Sequence, residues 1–187
     1  SYPKSGMMAD WIERRMIHFL PVQENQLGFQ KDLVVKTAPM IGVIGVGPEA
    51  ESVACRKPGV HGGNMDCRKI REGSVVYLPV FHPGALLALG DVHAAMGDGE
   101  VMGSGAEIAA DVIVQIEVIK ETCSEPWVVD RDRVYVITSA ETMEEALKQG
   151  CYKMNQRLQM GTFQLATQFQ KARLKHPCLH RNHCKKS

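Results

Sequence analysis

Residues 90–107 read Gly-Asp-Val-His-Ala-Ala-Met-Gly-Asp-Gly-Glu-Val-Met-Gly-Ser-Gly-Ala-Glu, and no other segment of the chain is as informative. Five glycines separate four carboxylates and one imidazole, which belong to Asp91, His93, Asp98, Glu100 and Glu107. Glycine allows tight turns and close approach of the backbone, so these groups can converge. Carboxylate oxygens and imidazole nitrogens are ligands of hard and borderline divalent cations. The segment therefore predicts a metal site built on loops between β-strands.

A second polar cluster, His61-Gly-Gly-Asn-Met-Asp66, lies upstream, and an apolar run that is typical of a buried strand separates the two clusters. Asp91 and His93 are two residues apart, so on an extended segment their side chains point the same way. Simpler interpretations stay open for each piece taken alone. Asp91 and His93 could form a surface hydrogen bond, and residues 98–100 could be a solvated acidic turn. Residues 61–66 could be an Asx turn, and Glu107 could be a charge that keeps a strand edge soluble.

Strand signals dominate the first 140 residues. The predicted strands are Ile17–Val22, Leu33–Thr37, Met40–Val46, Val75–Phe81, Ala85–Leu89, Ile108–Lys120 and Val134–Thr138. Met40–Val46 is small and apolar throughout, which predicts burial on both faces. Its glycines are not followed by a helical pattern, so a nucleotide-binding loop is rejected. Ile108–Lys120 alternates apolar and polar residues, which predicts a long, half-exposed strand.

The pattern changes once, near residue 141. Thr142-Met-Glu-Glu145 is a capping box, and the apolar spacing after it predicts a helix over roughly 142–160 with an apolar stripe packed on a sheet. The expected fold is mainly β, sandwich-like or barrel-like, with this one C-terminal helix, and α+β overall. The expected domain covers residues 1–160, followed by a basic, poorly ordered tail over 161–187.

Composition excludes several classes of protein. The 187 residues are 44% hydrophobic, which allows a sizeable core, and the formal net charge of +1 gives no field that favours nucleic acid or membranes. No apolar run approaches the ~20 residues that span a bilayer. Six scattered cysteines favour free thiols in a reducing compartment, and we expect a cytoplasmic protein. The run Cys178–Cys184 has a zinc-knuckle composition without the usual scaffold, and the tail lacks aromatic residues that stack on bases.

Several motifs together resemble the acetamidase/formamidase family, over about residues 15–160. They are Pro39–Val46, His61–Asp66, Gly73–Val80, Gly90–Glu100 and Gly105–Ile108. The resemblance implies a β-rich fold and hydrolysis of short aliphatic amides such as formamide and acetamide to a carboxylate and ammonia. Family members are considerably longer, with another β-rich region before the point that corresponds to Ser1, and their C-terminal part differs from residues 161–187.

Carried over position by position, the resemblance places Asp66, Asp91, His93 and Glu100 in a metal-centred site that His61 and Glu107 line. His61 is included among the expected metal ligands. Zinc is the expected ion, with calcium or magnesium as alternatives. Which carboxylate is a ligand and which is a base stays open at this point.

Amide chemistry agrees with such a site, because a bound cation can lower the pKa of water from 15.7 toward ~7 and polarise a carbonyl. Glu107 or Glu100 could then accept the proton of the water and pass it to the leaving nitrogen. Ser104 and Cys67 are weaker candidates for a nucleophile, since no supporting base accompanies Ser104 and Cys67 would face away from Asp66. The alternative function is a non-catalytic metal-binding or oligomerisation domain. Exposed strand edges make a homodimer the expected assembly.

Overall fold

The structure is a computed structural model that describes residues 6–120 and 123–159. A short 3-10 helix (Ala9–Trp11) precedes ten strands and one helix. These are β1 (Val22–Gln23), β2 (Gln26–Gln30), β3 (Leu33–Lys36), β4 (Met40–Gly45), β5 (Gly62–Asn64), β6 (Val75–Tyr77), β7 (Ala88–Ala95), β8 (Ala106–Glu107), β9 (Trp127–Asp130), β10 (Arg133–Val136) and α1 (Met143–Gln159). The predicted β-rich, α+β fold with a single C-terminal helix in the described part of the chain is confirmed.

The strands form three antiparallel sheets, with the orders β1-β2-β3, β10-β9-β6 and β5-β4-β7-β8. The third sheet is built around β4, which pairs with β5 on one side and β7 on the other. Its residues are alternately buried and half-buried from Met40 to Ile44, and Gly45 is buried as well. The strand predicted over Met40–Val46 is therefore confirmed over Met40–Gly45, with one face buried and the other, predicted to be buried as well, half-buried.

Two apolar clusters stabilise the second and third sheets. Ile44 of the β4 sheet packs with Ile70 and with Val128 of β9, so the second and third sheets share one core. The other cluster centres on Tyr77 and Trp127, whose rings stack at 3.9 Å between centroids. Since burying one large apolar side chain contributes about 1.5–3 kcal/mol, these clusters fix the sheet that carries the polar residues.

Helix α1 begins as the sequence predicts. The backbone N–H of Glu145 donates to the hydroxyl of Thr142 at 3.2 Å, which satisfies one of the orphan donors of the first turn. The helix is attached to the sheet by polar contacts more than by its apolar stripe, since no residue of α1 is buried. Thr138 donates to the carbonyl oxygen of Ala146 at 2.8 Å.

A buried charge cluster fastens the C-terminal half of α1. Glu125 is 6% exposed and accepts hydrogen bonds from Ser124, from Lys153 at 3.3 Å and from Arg157 at 3.5 Å. The guanidinium of Arg157 also lies 4.1 Å from the centre of the Trp127 ring. Burial raises the pKa of Glu125, but the hydrogen bond from Ser124 and the charges of Lys153 and Arg157 lower it further, so the net pKa lies below the ordinary value.

We expect Glu125→Gln to lower the free energy of unfolding by about 1–3 kcal/mol at neutral pH, because it removes charge-assisted hydrogen bonds from a buried site. A lowered pKa means that Glu125 stabilises the fold above its unfolded-state pKa and that this contribution is lost as the pH falls through the folded-state pKa. The difference between the two proteins should therefore shrink in acid. Urea unfolding at several pH values measures it. Glu144→Gln, which removes an exposed pair with Lys148, is the control and should change stability little.

Several predicted boundaries are wrong. The long strand over Ile108–Lys120 is the largest error: pairing ends with β8 at Glu107, and residues 108–120 form no strand. Alternation shows that a segment can pair, but a strand also needs a partner, and residues 109–118 form no backbone hydrogen bond with any described residue. The strand predicted over Ala85–Leu89 begins at Ala88 because Ala85 and Leu86 have φ of 56° and 55° in a turn, and it continues to Ala95.

The remaining differences are smaller. Of Ile17–Val22 only Val22 is in a strand, and the strand predicted over Val75–Phe81 ends at Tyr77. The turn between β1 and β2 consists of Glu24 and Asn25, where φ is 47° and 64°, and β2 follows at Gln26. Strands β2, β5, β8 and β9 are absent from the predicted set. β5 is a three-residue segment with two glycines, which carries little strand signal.

Three further predictions concern the ends and the chemistry of the chain. The predicted basic tail over 161–187 lies outside the described residues. Cys55, Cys67, Cys123 and Cys151 are free thiols, as expected for these positions. No helix in the described part of the chain combines the length and the hydrophobicity that a bilayer crossing requires.

Candidate metal centre

His93 is at the centre of the candidate site. It lies in β7, where its backbone is opposite Met40 of β4 on one side and Glu107 of β8 on the other. The side chain is fully buried. Its ring packs against Gly105, where a Cβ atom would lie 2.6 Å from Nδ1. A histidine ring this deep in the sheet is held in one orientation by its surroundings.

Three carboxylates approach the same ring nitrogen. The Nε2 atom of His93 lies 3.2 Å from Oε1 of Glu107, 3.4 Å from Oδ1 of Asp91 and 4.0 Å from Oε1 of Glu100. Glu107 reaches it across the β7–β8 pair, Asp91 from two residues earlier on β7, and Glu100 from the loop between these strands. The sequence prediction that Asp91 and His93 point the same way agrees with this geometry.

Asp66 enters from the loop after β5. Its backbone N–H donates to the carbonyl oxygen of Gly42 at 3.1 Å, which places the loop against β4. A Cβ atom on Gly42 would lie 2.8 Å from Oδ1 of Asp66 and 2.7 Å from Oδ2 of Asp91. Both carboxylates therefore occupy the space that a side chain at position 42 would fill. The two clusters that the sequence separates by an apolar strand meet in space.

The site contains two overlapping sets of ligand atoms. Asp66, His93 and Glu100 form one, and Asp91, His93 and Glu107 form the other, with the ligand atoms of each set within 4.8 Å of one another. Oδ1 of Asp66 and both ring nitrogens of His93 are buried without a hydrogen-bond partner. Buried polar atoms without partners cost free energy. A divalent cation beside Nε2 of His93, the nitrogen that the carboxylates approach, would satisfy that atom and Oδ1 of Asp66, so the residues present fit a metal ion.

Backbone strain is concentrated at the same positions. Asp66, Asp91 and Glu100 have φ of 42°, 56° and 42°. Residues other than glycine rarely adopt this left-handed region, and such strain of order 1–3 kcal/mol each is typical of functional sites. Three acidic residues of one cluster therefore hold unfavourable backbone conformations that bring their side chains together.

The carboxylates influence one another electrostatically. Burial and the charge of Asp91 raise the pKa of Asp66 above its ordinary value. Burial and the charge of Asp66 raise the pKa of Glu100, and burial and the charge of Asp91 raise that of Glu107. The negative charges disfavour one another in the folded chain, and a cation between them would reverse that repulsion.

Other residues singled out from the sequence lie elsewhere. His61 is buried beside Gly59 and Gly63, at the opposite end of β5 from Asp66, and belongs to neither set of ligand atoms. Cys67 packs against the Ile44–Ile70–Val128 cluster, and burial raises the pKa of its thiol, which favours the unreactive form.

Two further side chains from the sequence analysis bear on the site without belonging to either set. Asp98 is 87% exposed and pairs with Arg68 at 3.1 Å. The hydroxyl of Ser104 donates to Oε1 of Glu107 at 3.3 Å, and the backbone N–H of Gly105 donates to the same oxygen at 3.1 Å. Ser104 therefore helps to orient Glu107.

Gly42 and Gly105 are the site residues that the sequence did not single out. Their role is to be small, since each faces a ligand side chain closely enough to exclude a Cβ atom. The available signal was a glycine inside an otherwise apolar strand, which often marks a close approach of another group.

The sequence profile of the Acetamidase/Formamidase family matches residues 3–149, and the chain belongs to this family. Among solved structures, a predicted acetamidase/formamidase of Thermoanaerobacter tengcongensis is 40% identical with a TM-score of 0.82, covering 84% of this chain and 53% of that one. An acetamidase of Bacillus halodurans is also 40% identical, with a TM-score of 0.77 over 79% of this chain and 50% of that one.

Named enzymes match over a shorter region. The formamidase of Methylophilus methylotrophus is 38% identical over 73 residues, which are 38% of this chain and 18% of that protein. The acetamidase of Mycolicibacterium smegmatis is 39% identical over 64 residues, or 34% of this chain and 16% of that protein. The chain thus spans about half the length of these two solved relatives, and its matches cover under a fifth of the two named enzymes.

Proposed function

We propose that this chain takes part in metal-dependent hydrolysis of short aliphatic amides, formamide and acetamide, to a carboxylate and ammonia. One observation carries the proposal: four carboxylates surround a fully buried histidine whose ring nitrogens have no hydrogen-bond partner. Membership of the Acetamidase/Formamidase family supports the choice of substrate class. The names of the formamidase and acetamidase relatives support it as well.

Asp66, Asp91, His93 and Glu100 would hold the cation. We propose zinc, since imidazole and carboxylate are both zinc ligands, with calcium and magnesium as alternatives that the three carboxylates also suit. A bound divalent cation supplies Lewis acidity, which polarises the amide carbonyl and acidifies water. The two strained aspartates and the buried histidine fix the donor atoms in advance, which lowers the reorganisation needed on binding.

Glu107 is the best-placed base. Its side chain is 52% exposed, against 19% for Glu100, so Glu107 can contact both solvent and a substrate. The hydrogen bonds from Ser104 and Gly105 orient its carboxylate toward His93. In this assignment Glu107 accepts a proton from the attacking water and donates it to the leaving nitrogen, and Glu100 serves as a ligand.

Ammonia release from formamide and acetamide tests this function directly. We expect metal-loaded protein to release ammonia and chelator-treated protein to release none. Glu107→Gln should lower kcat by about 10²–10⁴-fold and leave the metal content unchanged, as expected for loss of a general base. Glu144→Gln removes an exposed carboxylate of α1 and is the control. Absence of ammonia from folded, metal-loaded protein would contradict the enzymatic proposal.

A non-catalytic metal-binding domain is the second candidate, because the chain spans only about half of the solved relatives. Metal bound with ordinary affinity and no turnover would select it. We also propose a cytoplasmic homodimer, supported by the free thiols and by edge strand β3, all four residues of which are exposed. Light scattering of the purified chain tests the dimer.

A further inference from the structure

The connection from β8 to β9 exposes an unusual amount of apolar surface. Every residue from 107 to 118 is exposed. The apolar side chains include Ile113 at 98%, Val118 at 82% and Ile116 at 66% exposure. Scattered apolar residues are ordinary on protein surfaces, but a contiguous series of them marks an interaction site.

Both ends of this segment are fixed to the fold. The backbone N–H of Ile108 donates to the carbonyl oxygen of Val92 at 3.1 Å, which continues the β7–β8 pairing by one bond. Ile119 packs against the cluster of Tyr77 and Trp127. Between these anchors, residues 109–118 have no backbone hydrogen bond to any described residue. The segment is therefore held between two sheets with its backbone donors and acceptors available.

The sequence of the segment suits a strand. Val112, Val114, Ile116 and Val118 lie at alternate positions on one face, and Asp111, Gln115 and Glu117 lie on the other face together with Ile113. Their β-branched side chains favour pleated, half-buried positions. A free backbone edge with one apolar face is recognised by another β-strand, which supplies both the hydrogen bonds and the apolar cover. A small molecule or a polar surface would leave most of these groups unsatisfied.

We propose that residues 109–118 dock a β-sheet from the other half of a family-length chain. The Thermoanaerobacter tengcongensis protein shares this fold at a TM-score of 0.82, and only 53% of it is matched. It therefore has nearly as much chain again to place against the common half. A second copy of this chain fits less well, because two such segments would form a two-stranded ribbon that is marginal in water and leaves the valine face uncovered.

Hydrogen exchange tests the proposal independently of amide hydrolysis. The full chain is mixed with a polypeptide comprising the unmatched part of the Thermoanaerobacter tengcongensis protein, and exchange of amides 109–118 is followed by mass spectrometry. We expect at least tenfold slower exchange in the mixture than in the chain alone. Protection that rises with the concentration of this chain alone, together with a dimer mass, would assign the surface to a second copy and overturn the proposal. Unchanged exchange in both samples, with an added polypeptide whose circular dichroism spectrum shows that it is folded, would overturn it too.

Two substitutions identify which face of residues 109–118 docks. Ile116→Asp places a charge on the apolar face and should weaken association by on the order of tenfold or more. Gln115→Asp places the same charge on the opposite face and is the matched control. Both side chains are exposed in the chain alone, so both variants should keep the circular dichroism spectrum of the parent. Equal weakening by the two variants would overturn the assignment of the apolar face.

Discussion

Gly42→Ala is expected to lower metal affinity by at least about 100-fold and to abolish measurable ammonia release, since loss of supporting contacts alone costs 10–100-fold in metal sites. The added Cβ would lie 2.7 Å from Oδ2 of Asp91, 2.8 Å from Oδ1 of Asp66 and 2.9 Å from the carbonyl oxygen of Asp91. The last of these atoms belongs to the β7 backbone, so a side-chain rotation cannot relieve the contact. The carboxylates must separate or the sheet must shift, and overpacking of this kind costs about 1–3 kcal/mol.

Gly97→Ala is the matched control for this variant. Gly97 lies in the loop between β7 and β8, has nothing within 4 Å of its would-be Cβ and does not adopt a positive φ. Calorimetric titration with Zn²⁺ and an ammonia assay compare the two variants at equal protein concentration. If Gly42→Ala bound Zn²⁺ with an affinity within a few-fold of that of the parent, the packing of two carboxylates against this glycine would not be what maintains the site.

Much of the candidate site could be predicted from the sequence because its residues are close in the chain. Asp91 and His93 share one strand, and Glu100 and Glu107 follow within one hairpin connection, so local geometry brings them together. The assignment of Asp66 to the same site depended on the resemblance to a known family. Residues 66 and 91 converge only because β4 pairs with both β5 and β7, and local sequence signals do not show that pairing. His61 shares a motif with Asp66 but lies at the other end of β5.

The fold class was predictable for a similar reason. Short apolar runs and one capping box are local signals, and they place β4, β10 and α1 correctly. Whether a segment pairs with a neighbouring strand could not be predicted from its own sequence. Residues 108–120 alternate as well as any strand in the chain but do not pair with the described residues. Glycine-rich β5 has almost no strand signal and pairs because β4 offers it an edge.

Asp66→Asn is expected to have effects of opposite sign with and without metal. In metal-free protein the variant should be more stable than the parent at neutral pH. Burial and the charge of Asp91 raise the pKa of Asp66, so the ionised form is disfavoured in the folded state. A carboxyl with a raised pKa contributes stability at low pH and loses it as the pH rises through the folded-state pKa. The advantage of asparagine should therefore disappear in acid, where Asp66 is protonated in both states. Asparagine also tolerates the φ of 42° at this position.

In excess metal the order should reverse. A ligand that binds only the folded state stabilises it by about 2.7 kcal/mol at a concentration 100-fold above Kd, and the parent should gain this stabilisation. The variant loses one anionic ligand of the Asp66–His93–Glu100 set and should gain little. Thermal unfolding at pH 7, with Zn²⁺ and with chelator, measures both effects. Asp98→Asn alters an exposed aspartate near the same site and should leave both melting temperatures unchanged. If Asp66→Asn lowered stability in chelator and kept the full zinc-dependent increase, Asp66 would be a structural residue, and the cation would have to bind through Asp91, His93 and Glu107 alone.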